Sequence, residues 1–126
     1  MAEELNLNLR PTYFNPEIDN GSETVYKLLL RDYYGKKQDL TGFTAKAELR
    51  PFPGSETVLD TLTTENGRLA IDLEESSITM AFPAKVTSKY TFPKACYDLL
   101  LIFNGRQWRI VQGAMVFRKE VTKNDD

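Results

Sequence analysis

Side-chain catalysis needs groups that move protons near neutral pH, and this chain is poor in them. It has no histidine, which removes the commonest general base and the commonest metal ligand. Triads built on a Ser-His or Cys-His pair are excluded. The single cysteine, Cys96, abuts an apolar run and reads as a small core residue rather than a nucleophile. Hydrolysis of a glycoside needs two carboxyl groups flanking one bond. Glu74 and Glu75 are adjacent, and neighbours on a strand point to opposite faces, so they read as solvated. Asp19, Asp32, Asp39, Asp60, Asp72 and Asp98 sit at expected strand ends or polar faces, without the compact run of acids that makes a calcium loop. Gly42, Gly67, Gly105 and Gly113 have neither dinucleotide-fingerprint nor P-loop spacing. No catalytic, cofactor-binding or metal-ligating residue is assigned, no cofactor is expected, and the chain reads as not an enzyme.

Binding chemistry has more to work with. An exposed aromatic ring can stack on a sugar, and the lone Trp108 is in phase with Ile110 near a turn, which favours a core position. Tyr33 and Tyr34 lie at an expected turn and are the better exposed aromatics. Arg106 and Arg109 flank the tryptophan and read as solvated. Tyr13 and Phe14 lie between Pro11 and Pro16, on an arm that can dock on its own sheet or on a partner.

The elements that must carry these groups are strands. In residues 39–50, Asp39 to Gly42 is turn chemistry. After it Phe43, Ala45, Ala47 and Leu49 fall on one face, and Thr44, Lys46, Glu48 and Arg50 on the other. That period of two is the mark of a half-buried antiparallel strand. Residues 5–9 alternate in the same way, up to Pro11. Residues 23–32 place Tyr26, Leu28 and Leu30 on one face and Val25, Lys27, Leu29 and Arg31 on the other. The short connection to residue 43 predicts a hairpin. Residues 56–62 form a weaker strand with Val58 and Leu62 on one face, and Asn66-Gly67 marks a turn. Leu69, Ile71 and Leu73 point inward, as do Ile78, Met80 and Phe82. Residues 83–90 hold the only helical piece, about two turns at most. Residues 96–103 are apolar on both faces: Tyr97, Leu99, Leu101 and Phe103 on one, Leu100 and Ile102 on the other. Asn104-Gly105 is a second hairpin signal. Trp108 and Ile110 have one parity and Met115 and Phe117 the other, so a β-bulge near Gly113 is expected.

The reading is all-β: a single antiparallel β-sandwich, immunoglobulin-like, of about seven to eight strands. The expected core comprises Tyr26, Leu28, Leu30, Phe43, Ala47, Leu49, Leu69, Ile71, Tyr97, Leu99, Leu101 and Trp108. The organisation is an N-terminal arm over 1–22, the sandwich over 23–122 and a frayed tail over 123–126. With 126 residues, 41% hydrophobic and 27% charged, one domain can bury an adequate core. One cysteine forbids an intramolecular disulfide and fits a reducing compartment. The net charge of −2 argues against a nucleic-acid partner. No apolar run reaches the length of a membrane span. Met1, Ala2, Glu3 and Glu4 do not open a secretory signal, so the chain is expected to be soluble and made in a cytoplasm.

Residues 39–50 resemble the D-L-T-G…R strand of small virion proteins of tailed bacteriophages. Tyr97-Asp98-Leu99, Asn104-Gly105, Gln112-Gly113 and Val121-Thr122 are similar to the Y-D-L strand, D/N-G turn, G-x-V strand and closing V-T of that group. Over residues 23–122 the chain resembles the immunoglobulin-like N-terminal module of baseplate upper proteins, here without a fibre or receptor-binding tail. The arm with Pro11 and Pro16 matches nothing in that pattern. The resemblance implies a non-enzymatic part of a virion: a tail, baseplate or fibre adaptor, made in the host bacterial cytoplasm. Its expected partners are other virion proteins and further copies of itself, with no nucleic acid, membrane or small-molecule ligand. The expected interface residues are Tyr13, Phe14, Val25, Leu29, Leu100 and Ile102, apolar groups that an isolated sandwich leaves wet or that an arm carries. The alternative is a carbohydrate-binding sandwich module aiding host attachment, with Tyr33 or Trp108 as its aromatic.

Overall fold

The computed structural model describes residues 12–32 and 34–122. The alternating residues 5–9, Tyr33 and the expected tail at 123–126 lie outside them. The chain runs β1 (Thr12–Tyr13), β2 (Glu17–Asp19), β3 (Thr24–Leu29), β4 (Thr44–Arg50), β5 (Asp60–Thr63), β6 (Leu69–Asp72), β7 (Ser77–Phe82), the single turn α1 (Ala84–Thr87), β8 (Lys94–Phe103) and β9 (Arg106–Arg118). The larger sheet has the order β1–β9–β8–β4–β5, with β2 also on β9; the smaller is β3–β7–β6. The two pack as a β-sandwich. Pairings among β3 to β9 are antiparallel, whereas β1 and β2 lie parallel to β9.

The alternation read from the sequence fills the space between the sheets. Phe43, Ala45, Ala47 and Leu49 are buried, as are Ile78, Met80 and Phe82, and Tyr97, Leu99 and Leu101. Of the expected core, Tyr26, Leu28, Ile71 and Trp108 are only partly buried and pack against the cluster's rim. Ile18 and Leu40 join the core from segments read as arm and turn. Leu73 does not point inward: it is exposed because β6 ends at Asp72 and has no facing strand beyond it. Val58 is exposed too, just before β5 begins at Asp60.

Two connections differ from the expectation. β3 and β4 do not form a hairpin: β3 pairs with β7, while β4 lies between β5 and β8 in the other sheet. The linking chain makes a small turn, with Arg31 bridged to Lys37. It then buries Leu40 as it crosses the roughly 10 Å between sheets. Asn66-Gly67 likewise joins β5 and β6, which belong to different sheets. Asn104-Gly105 is a true two-residue hairpin, with both φ angles positive at 52° and 77°, as a primed turn requires. The bulge is in β9 as expected but sits at Ile110: Leu99 faces Val111 and Leu100 faces Arg109.

Gly113 serves a different end. A Cβ there would lie 2.3 Å from the Phe14 carbonyl oxygen and 2.6 Å from Asn15 Oδ1. The bare backbone admits residues 14–15 against β9. Phe14 N–H donates to the Gln112 carbonyl at 3.0 Å. Ala114 N–H donates to Asn15 Oδ1 at 2.9 Å, and Tyr97 Oη to the Phe14 carbonyl at 2.7 Å. Phe14 stacks edge-on against Tyr26 at 5.3 Å, whose hydroxyl donates to the Glu17 carbonyl at 2.6 Å. Residues 12–19, read as arm, are thus strands of their own chain's sandwich. Burial pushes the Tyr97 phenol up, keeping it protonated as a donor.

A polar clamp closes the other side. Arg68 Nη1 contacts Asp60 Oδ2 at 3.1 Å, and Arg68 Nε donates to the Ala81 carbonyl at 2.9 Å. The guanidinium lies over the Phe82 ring. Tyr90 Oη donates to the same carboxylate oxygen; burial first, then that bond, raises its pKa. Asp60 belongs to the larger sheet and Ala81 to the smaller, so the ion pair ties the layers together.

Urea denaturation tests both contacts. Gly113→Ala costs about 1–3 kcal/mol, as overpacking against backbone does. Asp60→Ala costs about 3 kcal/mol by leaving Arg68 half-buried without its partner. Tyr90→Phe costs about 1 kcal/mol, and the double variant falls short of the sum because both act on one carboxylate.

Candidate functional site

The register of the large sheet aligns four side chains on its outer face. Glu48 of β4 faces Asp98 of β8, Asp98 faces Gln112 of β9, and Gln112 faces Tyr13 of β1. Adjacent strands are about 4.8 Å apart, so the row spans roughly 14 Å across the strand direction. It forms the floor of a groove of about 610 Å³. Arg50 and Cys96 line one side, Leu100 and Arg109 the other, and Pro53-Gly54 one end. Tyr13 stands at the far end with its ring 74% exposed.

Each groove carboxylate is held by an arginine. Arg50 Nη2 meets Glu48 Oε1 at 2.6 Å, while Lys46 Nζ lies 3.5 Å from the other oxygen. Arg109 Nε meets Asp98 Oδ2 at 3.2 Å. The Arg50 hydrogen bond, more than the neighbouring charges, holds the Glu48 carboxyl below the usual carboxylate range. Two acids and two arginines line the groove, and Lys46 lies against Glu48 beside them. The Glu48 carboxylate, fixed by Arg50, faces the groove as a hydrogen-bond acceptor. Among the described residues, no three His, Cys, Asp or Glu side chains cluster to hold a metal ion.

The six expected interface residues do not form one surface. Val25 and Leu29 project from the outer face of the small sheet, 61% and 55% exposed. Leu100 and Ile102 lie on the outer face of the large sheet, on the opposite side of the sandwich, and both are half-buried. Tyr13 shares that face with Leu100, while Phe14 turns inward against the core. Tyr34 is 94% exposed in a turn held by Asp32 Oδ1, and Tyr33 lies outside the described residues. Trp108 packs on Phe43 at 5.8 Å and carries Arg106 over its ring. Arg109, read as solvated, is paired with Asp98. Cys96 is not a core residue: it faces outward between Arg50 and Ala114, and its thiol donates to the Arg50 carbonyl at 3.3 Å.

Sequence reasoning named Tyr13 but not the row it belongs to. Glu48 and Arg50 were visible as a polar face, and Asp98 and Gln112 as polar positions on other strands. Only the pairing register puts them side by side. A second hollow of about 290 Å³ lies by Asn20, Lys89, Lys119 and Glu120. Asn20 Oδ1 is buried and has no hydrogen-bond partner among the described residues.

Compared with protein-family models and with curated proteins, the chain matches none. Among the described residues no helix is long and apolar enough to cross a membrane.

The depressed Glu48 pKa sets a pH test. Such a group contributes stability that is present above its unfolded pKa, near 4.5, and is lost as pH falls through the lower folded value. Wild-type stability therefore falls more steeply below pH 4.5 than that of Glu48→Gln, measured by urea denaturation across pH 2.5 to 6 (approximate limits). Asp39, held low by the Thr41 N–H, and Glu75, held low by Lys27, leave a residual slope in the variant.

Proposed function

We propose that this protein is a non-catalytic assembly module, an immunoglobulin-like structural part of a tailed-phage virion that works by burying a sheet face against neighbours. The observation that carries the assembly reading is the outer face of the small sheet. Val25 and Leu29, on edge strand β3, are both more than half exposed. Their cross-strand neighbours are Ala81 and Ser77, and Ala70 stands one strand further on, opposite Thr79. Val25 and Leu29 stand on either side of Lys27 above a row of small side chains, a surface that another protein can cover.

The strand order supports the immunoglobulin-like part. The neighbour relations β3–β7–β6 and β9–β8–β4–β5 correspond to the B–E–D and G–F–C–C′ relations of a variable-type immunoglobulin sandwich. The virion assignment rests on the resemblance of residues 39–50 and 97–122 to phage proteins.

The same face restricts how copies can meet. Lys27 sits midway between Val25 and Leu29, paired with Glu75 at 2.9 Å. Two β3 edges meeting about Lys27 would place like charges opposite each other, which disfavours edge-to-edge pairing. Burial of the face, rather than extension of the sheet, is the mode that fits.

Sedimentation at tens of micromolar, alone and with co-expressed virion proteins, tests the reading. The wild type is expected to associate. Leu29→Glu and Val25→Glu are expected to abolish association while changing stability by no more than about 0.5 kcal/mol, as surface substitutions do. A wild type that stays monomeric under every such condition sinks the assembly reading.

A further inference from the structure

We propose that the row Glu48–Asp98–Gln112–Tyr13 is a binding site for a neutral oligosaccharide laid across the strands of the large sheet. This site is on the opposite face from Val25 and Leu29 and is independent of assembly through them. A peptide recognised by a sheet usually adds a strand at a free edge, where unpaired backbone groups supply the affinity. Here β4, β8 and β9 are each paired on both sides, and the row runs across them. Only side chains face the ligand. The spacing of about 4.8 Å between successive groups is close to the repeat of an extended hexose chain, so each sugar ring meets one side chain.

Tyr13 offers an exposed ring to the C–H face of a terminal sugar, with a phenol that can donate or accept. Gln112 offers both a carbonyl and an amide. The Glu48–Arg50 and Asp98–Arg109 pairs put acceptors and fixed donors side by side, a match for vicinal hydroxyls, which both give and take hydrogen bonds.

The groove's cations are already engaged: Arg50 and Lys46 both contact Glu48, and Arg109 contacts Asp98. An anionic ligand would have to break an ion pair to gain one. A neutral polyol keeps both pairs intact. The volume of about 610 Å³ lies within the usual range of small-ligand sites, roughly 300–1,000 Å³.

The test uses the whole protein with cellotetraose, maltotetraose and chitotetraose as neutral probes and a heparin tetrasaccharide as the anionic control. Binding is followed by calorimetry and by amide chemical shifts. Saturable binding of at least one neutral probe is expected, with shifts at Gln112 and Asp98. Tyr13→Ala is expected to weaken it about fivefold to tenfold, Gln112→Ala to weaken it as well, and Leu29→Glu to leave it unchanged. Tyr13 is exposed, so its truncation leaves the fold intact, which an unchanged denaturation midpoint verifies. The proposal is overturned by absence of saturable binding to all three neutral probes, by binding indifferent to Tyr13→Ala and Gln112→Ala, or by binding of the anionic probe alone. None of these results bears on association through Val25 and Leu29.

Discussion

Ile110 is one residue too many for its ladder, and the large sheet depends on it. Without that bulge the side chains of β9 would keep a single phase along the whole strand. Either Trp108 would leave the core or Val111, Met115 and Phe117 would. With it, Ile110 and Val111 are buried in succession, and both halves of the strand face inward. The outer face is shifted by the same step: Gln112 comes level with Asp98, and Arg109 with Leu100. The groove therefore exists in its observed form because of a core-packing demand on the other side of the sheet.

β9 also carries the first strands of the chain. Parallel pairing of β1 and β2 is a short-range arrangement of few hydrogen bonds, weak by itself. Packing supports it from three directions. The absent side chain of Gly113 lets the chain in, Ile18 is fully buried, and Arg118 reaches Glu17 and Asp19 from the end of β9. Tyr13 is held at the groove by this anchoring although its own ring touches solvent. At the opposite edge the Arg68–Asp60–Tyr90 clamp ties β5 to the second sheet.

The two outer faces offer different chemistry for different kinds of partner. The small sheet presents Val25 and Leu29 on either side of the Lys27–Glu75 pair, among small side chains. The large sheet presents paired charges, an amide and a phenol, suited to a wet ligand rich in hydroxyls. Neither face constrains the other, because the core lies between them.

The alternation in residues 43–49, 78–82 and 97–101 was enough to say which side chains are buried, because a strand's period of two maps directly onto inside and outside. Asn104-Gly105 likewise determined its own turn, since few residue pairs tolerate two positive φ angles. The opposed parities around Gly113 required a bulge somewhere in β9, but its place at Ile110 was settled by what Leu99 and Leu100 face. Other features needed the third dimension. Turn chemistry at 39–42 and at Asn66-Gly67 says that the chain reverses, not whether it returns to the same sheet or crosses to the other. That choice is made by which strand edges are already occupied. Sequence alone did place Val25 and Leu29 on an outer face, but it could not separate them from Leu100 and Ile102 by the thickness of the sandwich. The row from Glu48 to Tyr13 is drawn from positions 13, 48, 98 and 112. Residues so far apart in the chain become neighbours only through pairing register, a property of strand pairs and not of any single strand.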